Sequence, residues 1–199
     1  MVKKFINLLI FLFIFSLYFI SFLMIYDNFR ERKLAKLESN AIDTFDNIVK
    51  NEEKKEEISD DDYYGEISYE GYTILGKIEI PRIGFTSVVI KEYTYNAMNV
   101  GVIKSYGSEL NEPGGFVISG HNFRGGSIFL YSIYLLTDGD KIYITDTSGN
   151  RMEYTVYDVS RYASPTDTSY YANYDGYHVT LVTCEDDGGE TRIIVRARG

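Results

Sequence analysis

The sequence predicts a mainly β domain, folded as a closed barrel or a sandwich, behind an N-terminal membrane-spanning helix. The chain begins with a long apolar segment that contains no charged residue. Its C-terminal part is a series of short β-like runs separated by turn residues. Nineteen Tyr and twelve Phe, with no Trp and only three Pro, also favour strands over helices in the folded part.

The apolar segment extends from Phe5 to Tyr26 and consists mainly of Phe, Leu and Ile. About 22 residues at 1.5 Å each form a helix of roughly 33 Å, which is enough to cross the hydrocarbon core of a bilayer. A cleaved signal peptide has a shorter apolar stretch that ends in small residues, and no such residues follow here. Residues 1–26 are therefore expected to form an uncleaved signal anchor.

Charge alone does not orient this anchor. Lys3 and Lys4 precede the span, which favours a cytoplasmic N-terminus. A second basic group follows the span directly, at Arg30, Arg32, Lys33 and Lys36. The positive-inside rule therefore gives an ambiguous or even reversed orientation. An extracellular C-terminal domain follows only from the chemistry considered below.

Residues 27–70 are expected to form a charged, partly helical stalk or linker between the anchor and the β domain of residues 71–199. Apolar residues recur in the first part of this region with a spacing that gives a narrow stripe on a helix. They are Leu34, Leu37, Ala41, Phe45 and Ile48. The acidic run from Glu52 to Asp62 is expected to remain solvated.

Seven runs in the β domain are predicted strands, and residues 127–136 are a predicted short helix. The predicted strands are Thr73–Ile80, Phe85–Ile90, Gly115–Ser119, Lys141–Thr145, Met152–Val159, His178–Cys184 and Thr191–Ala197. Seven or eight short strands with little helix between them are typical of a barrel or a sandwich.

Composition narrows the class of partner and the role of the single cysteine. The formal net charge of −9 argues against nucleic acid as a partner, because phosphate binding needs a clustered excess of Lys and Arg. One cysteine cannot form an intramolecular disulfide. Cys184 is therefore either a buried small hydrophobic residue or a nucleophile, which would need a base or a nearby positive charge.

Strand geometry separates the two histidines as partners for Cys184. His178 and Cys184 lie in the same predicted strand, six residues apart, which is roughly 20 Å at 3.3 Å per residue. They cannot touch, so His121 is the remaining candidate. His121 follows the predicted strand ending at Ser119, where a side chain can emerge over a barrel rim, although a role in capping a loop is the alternative.

Strand geometry also indicates which arginine of the last strand lies nearest to Cys184. Cys184 ends one predicted strand, and the next begins after a short loop, so Arg192 should lie close to opposite Cys184 in an antiparallel hairpin. Arg196 should pair near Thr180, about 13 Å further along. Arg192 is then placed to donate to an oxyanion or a substrate carbonyl, unless it is an ordinary surface cation.

Three segments together resemble the sortase family. Thr180 to Cys184 reads T-L-V-T-C, like the sortase T-L-x-T-C signature, and Arg192 to Val195 resembles the arginine strand that follows it. Glu112 to Asn122 resembles the histidine segment of the family. The resemblance extends from about Gly76 to the C-terminus and preserves the order His, Cys, Arg. Each motif alone is weak, but the three in order are specific.

The resemblance implies an eight-stranded β-barrel and a cysteine transpeptidase acting on a C-terminal sorting signal of LPXTG type. It assigns the nucleophile to Cys184, the acid/base to His121 and the oxyanion-side cation to Arg192. Residues that it implies for substrate binding are Thr183, Asn122, Ser164, Pro165 and Thr166. The implied partners are secreted proteins with a sorting signal and a cell-wall peptide amine, with the domain held at the outer membrane face.

The subclass and the metal content are separate expectations. Only residues 162–177 precede the cysteine strand, which is closer to class A or D than to class B, and residues 60–64 lack the proline of the lid in pilus-building members. No metal or organic cofactor is needed for the chemistry. Four carboxylates on loops are candidates for Ca²⁺, with scattered surface acids as the alternative. They are Glu109, Glu112, Asp167 and Asp175.

Two other functions use the same residues differently. A cell-wall peptidase of Cys–His type would have the same nucleophile but would release its product to water. A membrane-anchored binding module without catalysis would keep its function after Cys184→Ala. The products formed with and without an amine acceptor would distinguish these alternatives.

Overall fold

A computed structural model describes residues 2–53, 67–122, 130–171, 174–185 and 188–199. It contains one long helix, α1, which spans Val2–Glu53. The described residues also contain nine strands. These are β1 Ile67–Tyr69, β2 Tyr72–Ile80, β3 Phe85–Ile90, β4 Val102–Gly107, β5 Phe116–Ser119, β6 Lys141–Asp146, β7 Arg151–Ala163, β8 His178–Cys184 and β9 Arg192–Arg198.

The strands form a closed barrel rather than a sandwich. They are hydrogen-bonded in the order β1-β2-β3-β4-β5-β8-β9-β7-β6, and β6 returns to pair with β2. The ring therefore contains eight strands, β2 to β9, and β1 adds to the part of β2 that precedes its pairing with β6. Most pairs are antiparallel, but β3–β4 and β5–β8 are parallel. The eight-stranded barrel expected from the sequence is confirmed.

The barrel interior is apolar and closely packed. Alternate residues of each strand point inward, as the two-residue period of a strand requires, for example Ile78 and Ile80 of β2. Phe116 and Tyr154 meet edge to face with their ring centroids 5.9 Å apart. The Tyr154 hydroxyl is not left without a partner, because it donates to Asn111 Oδ1 at 3.1 Å. Each fully buried side chain of this size stabilises the fold by roughly 1.5–3 kcal/mol.

The first part of α1 matches the predicted anchor. Among the described residues, one helix is long and apolar enough to cross a membrane, and its most apolar window is not buried in the protein. Residues from Phe5 to Tyr26 are accordingly exposed along the whole segment. This helix fits a single-pass membrane anchor.

The second part of α1 packs on the barrel. The helix continues without a break from the apolar segment into the charged region, and Ala41, Phe45 and Val49 are buried against the outer side of β2 and β3. Lys77 of β2 pairs with Asp46 at 2.5 Å. The part of the stalk up to Glu53 is therefore a continuous helix, which packs on the barrel over at least two turns.

One carboxyl group is buried in this helix–barrel interface. Glu38 is only 5% exposed, next to the buried Ser87 of β3. Burial raises the pKa of Glu38 to about 8, and the hydrogen bond with Ser87 opposes this shift in part. The Glu38 carboxyl is therefore mostly protonated at neutral pH, which makes its burial tolerable.

The structure differs from the predicted elements at several places. The predictions lacked β1 and β4, and β7 extends to Ala163, four residues beyond its predicted end. The predicted short helix is a 3-10 helix at Leu130–Leu135, while residues 127–129 of that prediction lie outside the described residues. Residues 60–64, considered for a lid, also lie outside them. The division into 1–26, 27–70 and 71–199 remains a prediction, although β1 begins at Ile67.

Candidate active site

Cys184 lies at the C-terminal end of β8, directly opposite Arg192 of β9. The β8–β9 ladder pairs Cys184 with Arg192 and Thr180 with Arg196, as the hairpin geometry predicted. The Cys184 side chain is partly exposed. Two neighbouring strands thus bring the thiol and the guanidinium to one level of the barrel.

The loop between these strands fixes the position of the guanidinium. Arg192 Nη1 donates to the carbonyl oxygens of Gly189, at 2.7 Å, and Thr191, at 3.1 Å. The point where a Cβ atom would stand on Gly189 is 3.8 Å from Arg192 Nη1 and also 3.8 Å from Cys184 Sγ. The sulfur and this nitrogen are therefore within twice that distance of each other.

His121 approaches Cys184 from the other side of β8. Strand β5 runs parallel to β8, and its last pair is Ser119 with Val182. Continued for two residues beyond the end of β5, the same register brings His121 opposite Cys184. His121, two residues beyond the end of β5, therefore lies in one row with Cys184 of β8 and Arg192 of β9.

Side-chain hydrogen bonds hold the His121 segment to β8 beyond the end of the ladder. The Gly120 N–H donates to the Val182 carbonyl at 3.3 Å. The Thr183 hydroxyl donates to the Gly120 carbonyl at 2.9 Å. Asn122 Nδ2 donates to the carbonyl of Cys184 itself. The residues on both sides of His121 are therefore tied to the strand that contains the cysteine.

Glycine is needed immediately before His121. A Cβ atom at Gly120 would lie 3.0 Å from Leu130 Cδ1 and 3.1 Å from Val102 Cγ1. Both neighbours are buried in the barrel core. The absence of a side chain at Gly120 therefore lets the His121 segment lie close against the core.

Tyr95 packs against His121. The two rings are 4.6 Å apart between centroids and tilted by 58°. Burial lowers the pKa of His121 below its ordinary value of 6.5, and a hydrogen bond with the Tyr95 backbone opposes this effect in part. The His121 imidazole is therefore mostly neutral at pH 7 and able to accept a proton from a thiol. No pattern in the sequence predicted a role for Tyr95, which lies in the connection between β3 and β4.

An ion pair between the exposed Arg161 and the largely covered Glu185, also absent from the sequence predictions, flanks the cysteine. Glu185 directly follows Cys184, and its side chain is 9% exposed. Its Oε1 accepts hydrogen bonds from the Arg161 guanidinium on β7, which also lies over the Tyr134 ring at 5.0 Å. This pair connects β7 to the end of β8. No sequence pattern relates residues 24 positions apart in this way.

The predicted substrate-binding loop begins beside the same row. Ala163, the last residue of β7, pairs with Arg192. Ser164, Pro165 and Thr166 follow at once and are exposed. The hydroxyls of Ser164 and Thr166 are 2.8 Å apart, and the Thr166 N–H donates to Ser164 Oγ at 3.2 Å. These bonds give the turn a defined shape at the edge of the site.

The other two substrate-binding candidates are engaged within the protein. Thr183 is only 2% exposed and faces the barrel side of β8, opposite to Cys184. Its hydroxyl is bonded to Gly120, and the amide nitrogen of Asn122 is bonded to Cys184. Both residues support the positions of His121 and Cys184 in this structure.

The outer face of the strands below the row is apolar. Val117, Val182 and Ile194 form a buried cluster with Tyr170, and Ala163 packs against it. Val182 and Ile194 are register partners two residues from Cys184 and Arg192. We call this cluster the apolar floor of the site.

His178 and the acidic residues lie apart from this arrangement. His178, at the opposite end of β8, stacks on Tyr174 at 4.4 Å, and its Nε2 lies 3.2 Å from the Asp175 carbonyl oxygen. Within the part of the chain that the structure describes, no three or more His, Cys, Asp or Glu side chains converge as a metal site. Glu109, one of the Ca²⁺ candidates, instead pairs with Lys104 at 3.2 Å.

Comparison with known proteins gives a consistent result. The family model "Sortase domain" matches residues 78–199. Sortase A of Listeria monocytogenes is 27% identical over 131 residues, which is 66% of this chain and 58% of that protein. Sortase A of Bacillus anthracis is 28% identical over 111 residues, which is 56% of this chain and 52% of that protein. The chain thus aligns with little more than half the length of these relatives.

Solved structures agree with this result. The lid mutant of sortase A from Corynebacterium diphtheriae is 25% identical, with a TM-score of 0.57 over 63% of this chain and 69% of that chain. A Clostridium perfringens sortase D5 transpeptidase matches in fold, with 23% identity and a TM-score of 0.63 over 82% of this chain and 98% of that chain. The barrel, the row of three residues and the matched domain together show that the chain belongs to the sortase family.

Proposed function

We propose that the chain is a cysteine transpeptidase that cleaves an LPXTG-like sorting signal between Thr and Gly and transfers the new carboxyl end to a cell-wall amine. The observation that supports this proposal is the row formed by Cys184 and Arg192, which are register partners on β8 and β9, and by His121, whose neighbours Gly120 and Asn122 are hydrogen-bonded to β8. Thiol, imidazole and guanidinium are the nucleophile, the proton carrier and the cation that acyl transfer needs.

In the first half-reaction, His121 takes the proton of the Cys184 thiol and the thiolate attacks the Thr carbonyl carbon. A carbon–sulfur bond forms, and the carbon–nitrogen bond to Gly breaks as His121 returns the proton to the leaving amine. In the second half-reaction the acceptor amine loses a proton to His121 and attacks the thioester. The carbon–sulfur bond then breaks, and the thiol is restored without any change in oxidation state.

Arg192 is proposed to stabilise the oxyanion that forms during both attacks. The bonds from Nη1 to the Gly189 and Thr191 carbonyls hold the guanidinium beside the sulfur before substrate arrives. A donor that is already oriented stabilises developing charge without reorganising during the reaction. The pairing of Arg192 with Cys184 in the ladder would therefore place the guanidinium where the oxyanion forms.

The apolar floor and the turn at residues 164–166 are proposed to bind the sorting signal. The floor lies two residues along the strands from the reacting groups and is covered by Tyr170, so the apolar Leu and Pro that precede the scissile bond would bind at its edge, against Tyr170 and the partly buried Ala163. The exposed hydroxyls of Ser164 and Thr166 stand at its edge. Substrate would then extend across the strand ends towards Cys184.

The proposed partners require an extracellular domain. Secreted proteins with a C-terminal sorting signal and cell-wall peptide amines both lie outside the membrane. We therefore propose that α1 crosses the membrane once and holds the barrel on the outer face. Residues Phe5 to Tyr26 are the proposed span.

The full-length protein in detergent micelles tests the activity. We expect it to cleave peptides from an LPXTG-like panel at Thr–Gly, and mass spectrometry should show the acyl–amine product when a short amine acceptor is added. Cys184→Ala should abolish turnover, because no other thiol is present in the chain. Cys184→Ser is the matched variant of nearly equal size, and it should also be inactive.

Two outcomes would contradict the proposal. If only the hydrolysed product forms at saturating amine, the chain is a peptidase. If no peptide is cleaved but Cys184→Ala binds the peptides as well as the original chain does, the chain is a binding module.

A further inference from the structure

A cleft lies between α1 and the barrel, directly beyond the end of the apolar segment. It has a volume of about 560 Å³. One wall is the α1 surface between Tyr26 and Leu37, and the other is formed by the β1–β2 turn and residues 96–100. The active-site row is not among the residues that line it. The cleft is therefore a second concave feature of the molecule, unrelated to the proposed chemistry.

The charged residues of the cleft favour a small anion. Arg30 and Lys33 project from α1 into it, and Glu70 faces them from the β1–β2 turn. The described lining therefore has one net positive charge. Arg30 and Lys33 are both exposed, so a ligand can reach them.

The barrel wall supplies polar groups suited to hydroxyls. Tyr72, Asn96 and Asn99 line the cleft together with Glu70. Among the described residues, Asn99 Oδ1 is a buried acceptor that has no hydrogen-bond partner. A buried acceptor of this kind normally has a donor, which a ligand hydroxyl close to this wall would supply.

Arg30 lies at the level of the lipid headgroups, and Lys33 lies just beyond that level, from where its long side chain can reach back to a phosphate. Arg30 and Lys33 follow Tyr26 by four and seven residues, which is roughly 6 and 10 Å along a helix. The headgroup layer of a bilayer extends roughly 5–8 Å beyond the hydrocarbon core. Tyr26, which with Phe29 lines the end of the cleft nearest the span, is an aromatic residue of the kind that lies at this boundary.

We propose that this cleft binds one anionic phospholipid with a glycerol headgroup, of the phosphatidylglycerol type. The phosphodiester lies between Arg30 and Lys33, the headgroup hydroxyls face Glu70 and Asn99, and the acyl chains pass Tyr26 and Phe29. The single negative charge of this lipid matches the charge of the lining. The proposal also gives a role to basic residues that follow the span, which the positive-inside rule alone does not explain.

The test is lipid binding by the full-length chain in uncharged detergent micelles. Phosphatidylglycerol is titrated, and the bound fraction is measured by native mass spectrometry. The double variant R30Q/K33Q should raise the Kd at least tenfold, because each basic residue near a lipid phosphate strengthens binding about fivefold. Phosphatidylcholine should bind the original chain at least tenfold more weakly than phosphatidylglycerol.

A matched control is available on the same helix. R32Q/K36Q removes the same two charges from residues that do not line the cleft, and it should change the Kd less than twofold. Asn99→Ala tests the barrel wall independently and should also weaken binding of phosphatidylglycerol. Peptide cleavage by R30Q/K33Q should match that of the original chain, so the outcome for lipid does not depend on the proposed function.

Three results would overturn the proposal. Equal weakening by both double variants would show general attraction between charges. Equal affinity for phosphatidylcholine would show that binding does not depend on the negative charge of the lipid. Competition by soluble glycerol 3-phosphate at the same concentration as the lipid would show a site for a soluble phosphate instead.

Discussion

The two flanks of Cys184 are built in different ways. On one side, the β8–β9 ladder pairs Cys184 with Arg192 through the main chain. On the other side, β5 has already ended at Ser119, and His121 is held through Gly120, Asn122 and the ring of Tyr95. One flank is therefore set by strand register, while the other depends on side chains.

This difference has a mechanical consequence. A change of side chain on β9 alters the chemistry there without moving the backbone, because the ladder bonds remain. A change of side chain near His121 removes one of the contacts that hold the His121 segment in place. Substitutions on the arginine flank should therefore affect rate alone, and those on the histidine flank should affect rate, stability and pKa together.

The largest effect is expected for Arg192→Lys. Lysine keeps the charge but has a single nitrogen, so it cannot bond the loop carbonyls as Nη1 does and also present a second nitrogen to the oxyanion. We therefore expect kcat/KM to fall about 100-fold, as for loss of one oxyanion donor. The melting temperature should change little. Arg198→Lys, at an exposed position on the same strand and face, is the control and should retain full kcat/KM. A similar loss for both variants would show that charge on β9, not geometry beside Cys184, matters.

A smaller effect is expected for Asn122→Ala. It removes the bond to the Cys184 carbonyl, so kcat should fall about tenfold and the free energy of unfolding by about 1 kcal/mol. Thr183→Val removes the neighbouring bond to Gly120 with almost no change of volume. If both bonds support the same segment, the two changes should combine non-additively in a double-mutant cycle of kcat. Strict additivity would contradict a shared support.

The smallest effect is expected for Tyr95→Ala. Loss of the ring exposes the His121 imidazole to water, so its lowered pKa should rise towards 6.5. Proton NMR titration measures this, with His178→Gln used to assign the two histidine signals. Tyr93→Ala is the control, since Tyr93 is 70% exposed and two residues away. An unchanged His121 pKa in Tyr95→Ala would show that other groups bury the ring.

The lowered pKa of His121 also determines the direction in which the stability of the fold should change with pH. Because the pKa of His121 is lower in the folded state than in the unfolded state, its contribution to stability is present above pH 6.5 and is lost as the pH falls below that value. Tyr95→Ala should reduce this loss. Melting temperatures of both chains at pH 5 and pH 7 would check the direction.

The arginine flank could be predicted from the sequence because a short loop and strand parity determine a hairpin. The same reasoning gave the separation of His178 from Cys184 and the pairing of Thr180 with Arg196. Strand β4 was missed because its buried residues, Val102 and Ile103, are adjacent and lead into a polar stretch rather than alternating.

The histidine flank could be predicted only in outline. His121 could be identified as the partner of Cys184 because His178 is too far away. Nothing in the sequence, however, related His121 to Tyr95 or showed that Asn122 would bond to Cys184. The Arg161–Glu185 pair likewise depends on the three-dimensional arrangement of β7 and β8. Contacts between side chains that are distant in sequence can be identified only in the three-dimensional structure, because no period or spacing in the sequence encodes them.

The continuity of α1 sets the distance between the end of the proposed membrane span and the barrel. Ala41, the first fully buried contact of the helix with the barrel, follows Tyr26 by fifteen residues, which is about 22 Å along the axis. An extended polypeptide covers that distance with about seven residues. Under the proposed function, a substrate protein still anchored in the bilayer would need a spacer of about this length to reach the level at which α1 first packs on the barrel.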